Sequence, residues 1–207
     1  ILNSIINFRY NFDIDFLEQF EYKEFKQYFD NIIKFNEKEI FVDCGGFIGN
    51  TTKRFISKNP NYDKIYYFEP CKEYFNQSVS NLSNFDDIIF YNKATYNKNT
   101  ILEFNVNGTA SCLSNKGEQK VETVRLDDVI NEAVTFIKMD VEGAEYNSLI
   151  GAKKIIKKSK PKLAISVYHN QKDFWRIPKL ILNYNNDYKV YLRHYMEGII
   201  ETIMYFL

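Results

Sequence analysis

The stretch Ile40-Phe41-Val42-Asp43-Cys44-Gly45-Gly46-Phe47-Ile48-Gly49 starts apolar, reaches an acid and closes in three glycines. A short apolar run bounded by turn residues reads as a buried strand. Residues 51–58 then read as a helix that Pro60 ends. Strand, glycine turn and helix in this order put free N–H groups at a helix start. The glycines let a ligand approach the backbone closely. A pyrophosphate suits such donors, and so does a methionine-type carboxylate.

The same alternation repeats downstream. Residues 65–68, 88–91, 134–139 and 163–168 read as core strands, with a polar helix after Glu69-Pro70 to about Leu82 and helices over 126–130, 142–158 and 174–184. Residues 101–106 and 119–124 alternate as a hairpin or a flap, and 188–192 and 199–206 read as a closing strand pair. Apolar strands alternating with helices give an α/β fold, a mostly parallel sheet covered by helices on both faces. The N-terminal stretch 1–38 reads as a helical extension before a domain over 39–207. In it Phe16, Phe20, Phe25, Tyr28, Phe29, Ile32 and Ile33 form a helical packing stripe over 15–34.

Ligands of open α/β sheets bind outside the carboxyl ends of the strands. Those ends are polar here: Asp43, Glu69, Asn92, Asp140 and His169. Glu69 lies about 20 residues after Gly49, the spacing of an acid that accepts hydrogen bonds from ribose hydroxyls. The dinucleotide pattern G-x-G-x-x-G is not met; the turn reads D-x-G-G-x-x-G. The cofactor set expected is Asp43, Gly45, Gly46, Gly49, Thr51, Glu69, Asn92, Ala94 and Asp140. For acid–base work His169 is the first candidate base, because histidine titrates near neutral pH. Asp140 is the second, and Glu142 is placed to meet a substrate. Lys138, on a buried strand, needs a partner. His194 reads as an exposed turn residue. Residues 107–114, small and containing Asn107-Gly108, read as a loop that covers the site.

Composition bounds the partners. The 207 residues carry 27 Lys+Arg and 27 Asp+Glu, so no whole-protein basic field gathers nucleic acid. The lysines over 153–160 flank Ile155 and Ile156 and read as a solvated helix face. Cys44, Cys71 and Cys112 show no metal spacing and fit a reducing, cytoplasmic compartment. No run is long enough for a membrane span. Asp140, Glu142 and His169 are possible metal ligands, but no dense aspartate cluster accompanies them and no metal is expected. The chain starts without Met or a signal-peptide pattern, consistent with one domain of a longer protein.

Four motifs then carry a resemblance. The segment 41–52 (FVDCGGFIGNTT), Tyr67-Phe68-Glu69-Pro70, Arg125-Leu126-Asp127-Asp128 and the segment 136–145 (FIKMDVEGAE) resemble the FkbM family of methyltransferases in order and spacing. The resemblance covers about 39–169 and is most specific in the last motif. It implies a class I Rossmann-like fold, S-adenosylmethionine as methyl donor, and O-methylation of a small-molecule or glycan acceptor. Sugars and phosphorylated precursors of bacterial surface glycans are the expected acceptors. The competing readings are a nicotinamide (NAD) oxidoreductase on a similar sheet and a non-catalytic binding module.

Overall fold

The computed structural model describes residues 1–11, 14–16, 24–105, 112–113, 119–198 and 200–207. In chain order the elements are α1 (Leu2–Asn11), β1 (Ile40–Cys44), α2 (Asn50–Lys58), β2 (Lys64–Phe68), α3 (Lys72–Asn81), β3 (Ile88–Tyr91) and β4 (Ala94–Thr95). Then come β5 (Thr100–Asn105), β6 (Cys112–Leu113), β7 (Gln119–Val124), α4 (Leu126–Val129), β8 (Phe136–Met139), α5 (Glu145–Gly151) and α6 (Lys153–Ser159). β9 (Lys162–Ser166), α7 (Asp173–Tyr184), β10 (Val190–His194) and β11 (Thr202–Phe206) close the chain.

Seven strands form the main sheet in the order β10-β11-β9-β8-β1-β2-β3. β1, β2, β3, β8 and β9 run parallel, and β11 is antiparallel to both β9 and β10. The expected closing pair is therefore present, and so is the hairpin of β5 with β7. Strand order doubles back at β1, between β2 and β8. That reversal opens a crevice at the carboxyl ends of the strands.

Period-2 alternation splits each strand between two cores. Val42, Cys44, Ile137, Met139, Leu163 and Ile165 face Leu149 of α5, Ile155 and Ile156 of α6, and Ile177 and Ile181 of α7. Phe41, Phe136, Ala164, Ile203 and Tyr205 face the other side, against Phe55 and Ile56 of α2. Phe41 and Phe55 stack there with centroids 4.2 Å apart. The lysines of α6 are exposed around buried Ile155 and Ile156, as a solvated face requires.

Three expectations are corrected. The helix over 15–34 does not form in its described part: Ile14–Phe16 and Glu24–Lys26 are single 3₁₀ turns, and 27–35 is an irregular strap. Tyr28 has φ 66°, which no α-helix tolerates, and its amide donates to Tyr205 Oη at 3.0 Å. Asp30 Oδ1 accepts the Ile32 amide at 3.2 Å, a local turn that competes with helix. The strap thereby buries Phe29 and Ile33 on the Phe41 face, while Phe25 stays 64% exposed. Phe20 lies outside the described residues.

Second, the single helix over 142–158 is two. Glu142 (φ 53°) and Gly143 (φ 94°) delay its start to Glu145, and it breaks at Ala152. Gly151 is where the backbone of Tyr96 closes in; a Cβ there would stand 2.0 Å from the Tyr96 carbonyl oxygen. Third, His194 is buried, not an exposed turn residue. It ends β10 with Nδ1 2.8 Å from Thr202 Oγ1 and Nε2 2.8 Å from the Gly198 carbonyl. Most of the covering loop expected over 107–114 lies outside the described residues.

Candidate functional site

A cavity of about 570 Å³ opens at the strand reversal. One end is made by Gly45, Gly46, Phe47, Thr51, Glu69 and Ala94; the other by Tyr28, Asp140, Glu142, Tyr168, His169 and Glu201. Of the residues expected at the site, Gly45, Gly46, Thr51, Glu69, Ala94, Asp140, Glu142 and His169 share this wall. Asp43, Gly49 and Asn92 stand behind it.

The glycine turn is pinned from several sides. Gly45 and Gly46 both donate to the Phe68 carbonyl at 3.0 Å, and Tyr67 Oη donates to the Phe47 carbonyl at 2.7 Å. Gly45 has φ 78°, and a Cβ on it would stand 1.8 Å from the Asp140 carbonyl oxygen. The amides of Gly45, Gly46, Phe47 and Gly49 are thus already engaged. The donors open to a ligand lie further on, where Asn50 and Thr51 begin α2 on the cavity wall.

Asp43 does not reach the cavity, because β1 turns it inward. Its Oδ2 accepts from Thr52 Oγ1 at 2.7 Å, and its Oδ1 pairs with Lys138 Nζ at 3.0 Å. Asp43 and Lys138 are register partners on neighbouring strands, so the partner Lys138 needed is Asp43. Lys138 also donates to the Gly45 carbonyl at 2.6 Å. Burial works against its ammonium, but the carboxylates of Asp43 and Asp140 outweigh burial and hold its pKa above the ordinary range. Asn92 Nδ2 donates to the carbonyls of Glu69 (2.9 Å) and Pro70 (3.1 Å) and shapes that loop. Gly49 packs against Leu82 at the start of α2.

Glu69 staples the glycine-turn end of the cavity. Its Oε2 accepts the Phe47 amide at 2.9 Å and its Oε1 the Cys71 amide at 2.8 Å. Burial pushes its pKa up to about 7, against those two hydrogen bonds. Each oxygen keeps a lone pair for a ligand.

The opposite end is crowded with charge. His169 Nδ1 lies 2.8 Å from Glu145 Oε1, and its Nε2 lies 3.1 Å from Glu142 Oε2 and 3.6 Å from Asp140 Oδ1. Burial opposes the imidazolium, but Glu142, Glu145 and Asp140 raise the pKa to about 11. These three carboxylates favour the protonated ring, which works against the expected use of His169 as a base. Asp140 is held below the usual carboxylate range: Lys138, His169 and the Tyr28 hydroxyl, which donates to Oδ2 at 2.5 Å, outweigh its burial. Glu201 is pushed up to about 7 by burial and by Asp140, and it accepts a hydrogen bond from Gln27 Nε2.

Gln27, Tyr28, Asn50, Tyr168 and Glu201 are among the cavity residues that sequence reasoning missed. The backbone marks four of the cavity residues in another way. Among the described non-glycine residues with positive φ, Tyr28, Phe47, Glu142 and Glu201 all line this cavity. Backbone strain of this kind collects at functional sites.

Residues 43–196 match the Methyltransferase FkbM domain. The chain superposes on the crystal structure of Methyltransferase FkbM from Methylobacillus flagellatus KT with a TM-score of 0.85 and 26% identity, over 99% of this chain and 53% of that one. It thus spans about half the length of that protein. An rRNA methylase from Streptococcus thermophilus matches with a TM-score of 0.54 and 15% identity, over 83% of this chain and 86% of the other. Aeropyrum pernix fibrillarin, solved with natively bound S-adenosyl-L-methionine, matches with a TM-score of 0.55 and 10% identity, over 84% and 70%. The last two likenesses show a shared fold. No curated protein matches the chain.

Proposed function

The chain belongs to the FkbM methyltransferase family, and from that premise we propose that it transfers a methyl group from S-adenosylmethionine to a hydroxyl of a small polar acceptor. The observation that carries this reading is the two-ended cavity. A glycine turn stapled by Glu69 forms one end and the acidic cluster around His169 the other.

The donor's ribose hydroxyls donate to Glu69. Its carboxylate meets the first turn of α2 at Asn50 and Thr51, where the helix carries partial positive charge. The adenine lies toward Ala94. The sulfonium then points to Asp140, whose carboxylate favours its positive charge.

The acceptor oxygen attacks the methyl carbon in line. The new O–C bond forms as the C–S bond breaks, and the bond's electrons stay on sulfur. Holding the two reactants in line supplies much of the acceleration. Asp140 and Glu142 orient the hydroxyl and draw off its proton, and the His169 imidazolium fixes both carboxylates. Carboxylates pair well with sugar hydroxyls, which supports a sugar acceptor such as a precursor of a bacterial surface glycan. Calorimetric titration with S-adenosylmethionine, S-adenosylhomocysteine and NADH tests the reading. One site for the first two and none for NADH is expected. No binding of either sulfur compound at millimolar concentration, or preference for NADH, overturns it.

A further inference from the structure

Two neighbouring residues of the strap, Gln27 and Tyr28, reach carboxylates from two different strand ends. Gln27, Tyr28 and Glu201 lie outside residues 43–196, the segment that matches the family domain. An ionised carboxylate only accepts hydrogen bonds, so beside Glu201 the Gln27 amide presents Nε2. That nitrogen donates to Glu201 Oε2 and, at 3.1 Å, to Tyr28 Oη. Tyr28 therefore accepts at its oxygen and has its single hydrogen for Asp140 Oδ2, 2.5 Å away.

The strap holds this pose against its own backbone. Tyr28 has φ 66°, in the left-handed region that a side chain resists. Its amide donates to Tyr205 Oη at 3.0 Å. Tyr195 Oη donates to Asp30 Oδ2 at 3.0 Å, so Tyr205 is the donor in the 2.6 Å contact between the Tyr195 and Tyr205 hydroxyls. Tyr195 and Tyr205 are both buried. This row of hydrogen bonds fixes the Tyr28 backbone and, with it, the place of the ring.

One distance shows a competition for Asp140. His169 and Asp140 are neighbours of opposite charge on the cavity wall, yet Nε2 and Oδ1 stand 3.6 Å apart. A charge-assisted N–H···O bond closes to about 2.7–2.9 Å. The carboxylate is drawn the other way, by Oδ2 toward Tyr28. Tyr168 Oη reaches Oδ1 only at 3.4 Å.

We propose that Tyr28 is the positioning residue of the acceptor end: its hydroxyl ties down Asp140 Oδ2, holds the carboxylate off His169 and leaves Oδ1 to accept a hydrogen bond from the acceptor hydroxyl. Gln27 keeps the phenol aimed at Asp140. The use made of Oδ1 rests on the methyl-transfer reading above; the hold on Asp140 does not.

Tyr28→Phe tests this, because it removes the hydroxyl and keeps the ring and the backbone contacts. In a crystal structure of the variant, the distance from Asp140 to His169 Nε2 should fall from 3.6 Å to about 2.7–2.9 Å. An unchanged distance overturns the proposal. In solution the readout is the Nε2–H proton resonance of ¹⁵N-histidine-labelled protein at pH 7. The chain has two histidines, and His169→Gln assigns the ring. A shorter hydrogen bond deshields its proton, so Tyr28→Phe should move the resonance downfield. The same substitution made on Asp140→Asn should leave it in place, since the effect passes through Asp140. A resonance that stays put or moves upfield in Tyr28→Phe, or that moves equally with and without Asp140, overturns the proposal. Calorimetry with S-adenosylhomocysteine on the wild-type protein tests the methyl-transfer reading separately. If that ligand does not bind, that reading fails while the hold on Asp140 is still measured.

Discussion

A ribose acid at Glu69 would tie cofactor affinity to pH. Glu69 is 6% exposed; its carboxyl spans the Phe47 and Cys71 amides, and burial pushes its pKa up to about 7. Only the ionised form leaves both oxygens free to accept ribose hydroxyls. The sign follows: S-adenosylhomocysteine binding favours the deprotonated acid, so affinity rises with pH and levels off above about 7. With a pKa near 7, about one tenth of the protein has an ionised Glu69 at pH 6 and about one hundredth at pH 5. The dissociation constant should therefore grow about tenfold per pH unit below 6. Glu69→Gln should flatten the profile and weaken binding at pH 8 by about 1–3 kcal/mol, the scale for a hydrogen bond to a charged group. Calorimetry from pH 5.5 to 8.5 on both proteins measures this. A flat wild-type profile, or a variant that binds equally well at pH 8, would refute the assignment of Glu69 to the ribose.

Other expectations follow from single contacts. Gly45→Ala puts a methyl 1.8 Å from the Asp140 carbonyl in a left-handed conformation that itself costs about 1–2 kcal/mol; S-adenosylhomocysteine binding should be lost, and retained affinity by calorimetry would show the turn is not the cradle. Lys138→Met leaves Asp43 charged and buried, a loss of about 3–5 kcal/mol in urea unfolding. Adding Asp43→Asn should recover most of that loss, and no recovery would mean that the pair is not what Lys138 serves. Phe55→Ala empties the contact with Phe41 and should cost about 3–5 kcal/mol. That lowers the melting temperature by about 6–20 °C, as scanning calorimetry would read.

The glycine-turn end was legible because its signals are local. Strand, glycine turn and Glu69 fall within one β1-α2-β2 unit, and period and spacing suffice to find them. Asp140 and Glu142 were legible for the same reason at the end of β8. The rule that polar strand ends meet a ligand says nothing of which way each side chain turns, and so it placed Asp43 in the cavity and not beside Lys138. His169 was located correctly, but its charge depends on Glu142 and Glu145 reaching it across a strained turn. Tyr28 and Glu201 left no local trace. They reach the cavity through contacts between distant parts of the chain, Tyr28 with Asp140 and Gln27 with Glu201. The strap misled periodicity because its aromatic residues serve the Phe41 face of the sheet without forming a helix.

A crystal structure with S-adenosylhomocysteine bound tests the central claim most directly. The account predicts the ribose hydroxyls within hydrogen-bond distance of Glu69, the amino-acid end at Asn50 and Thr51, and the sulfur facing Asp140 and His169. Density for the ligand outside this cavity, or with its ribose away from Glu69 and its sulfur turned from Asp140, would contradict it.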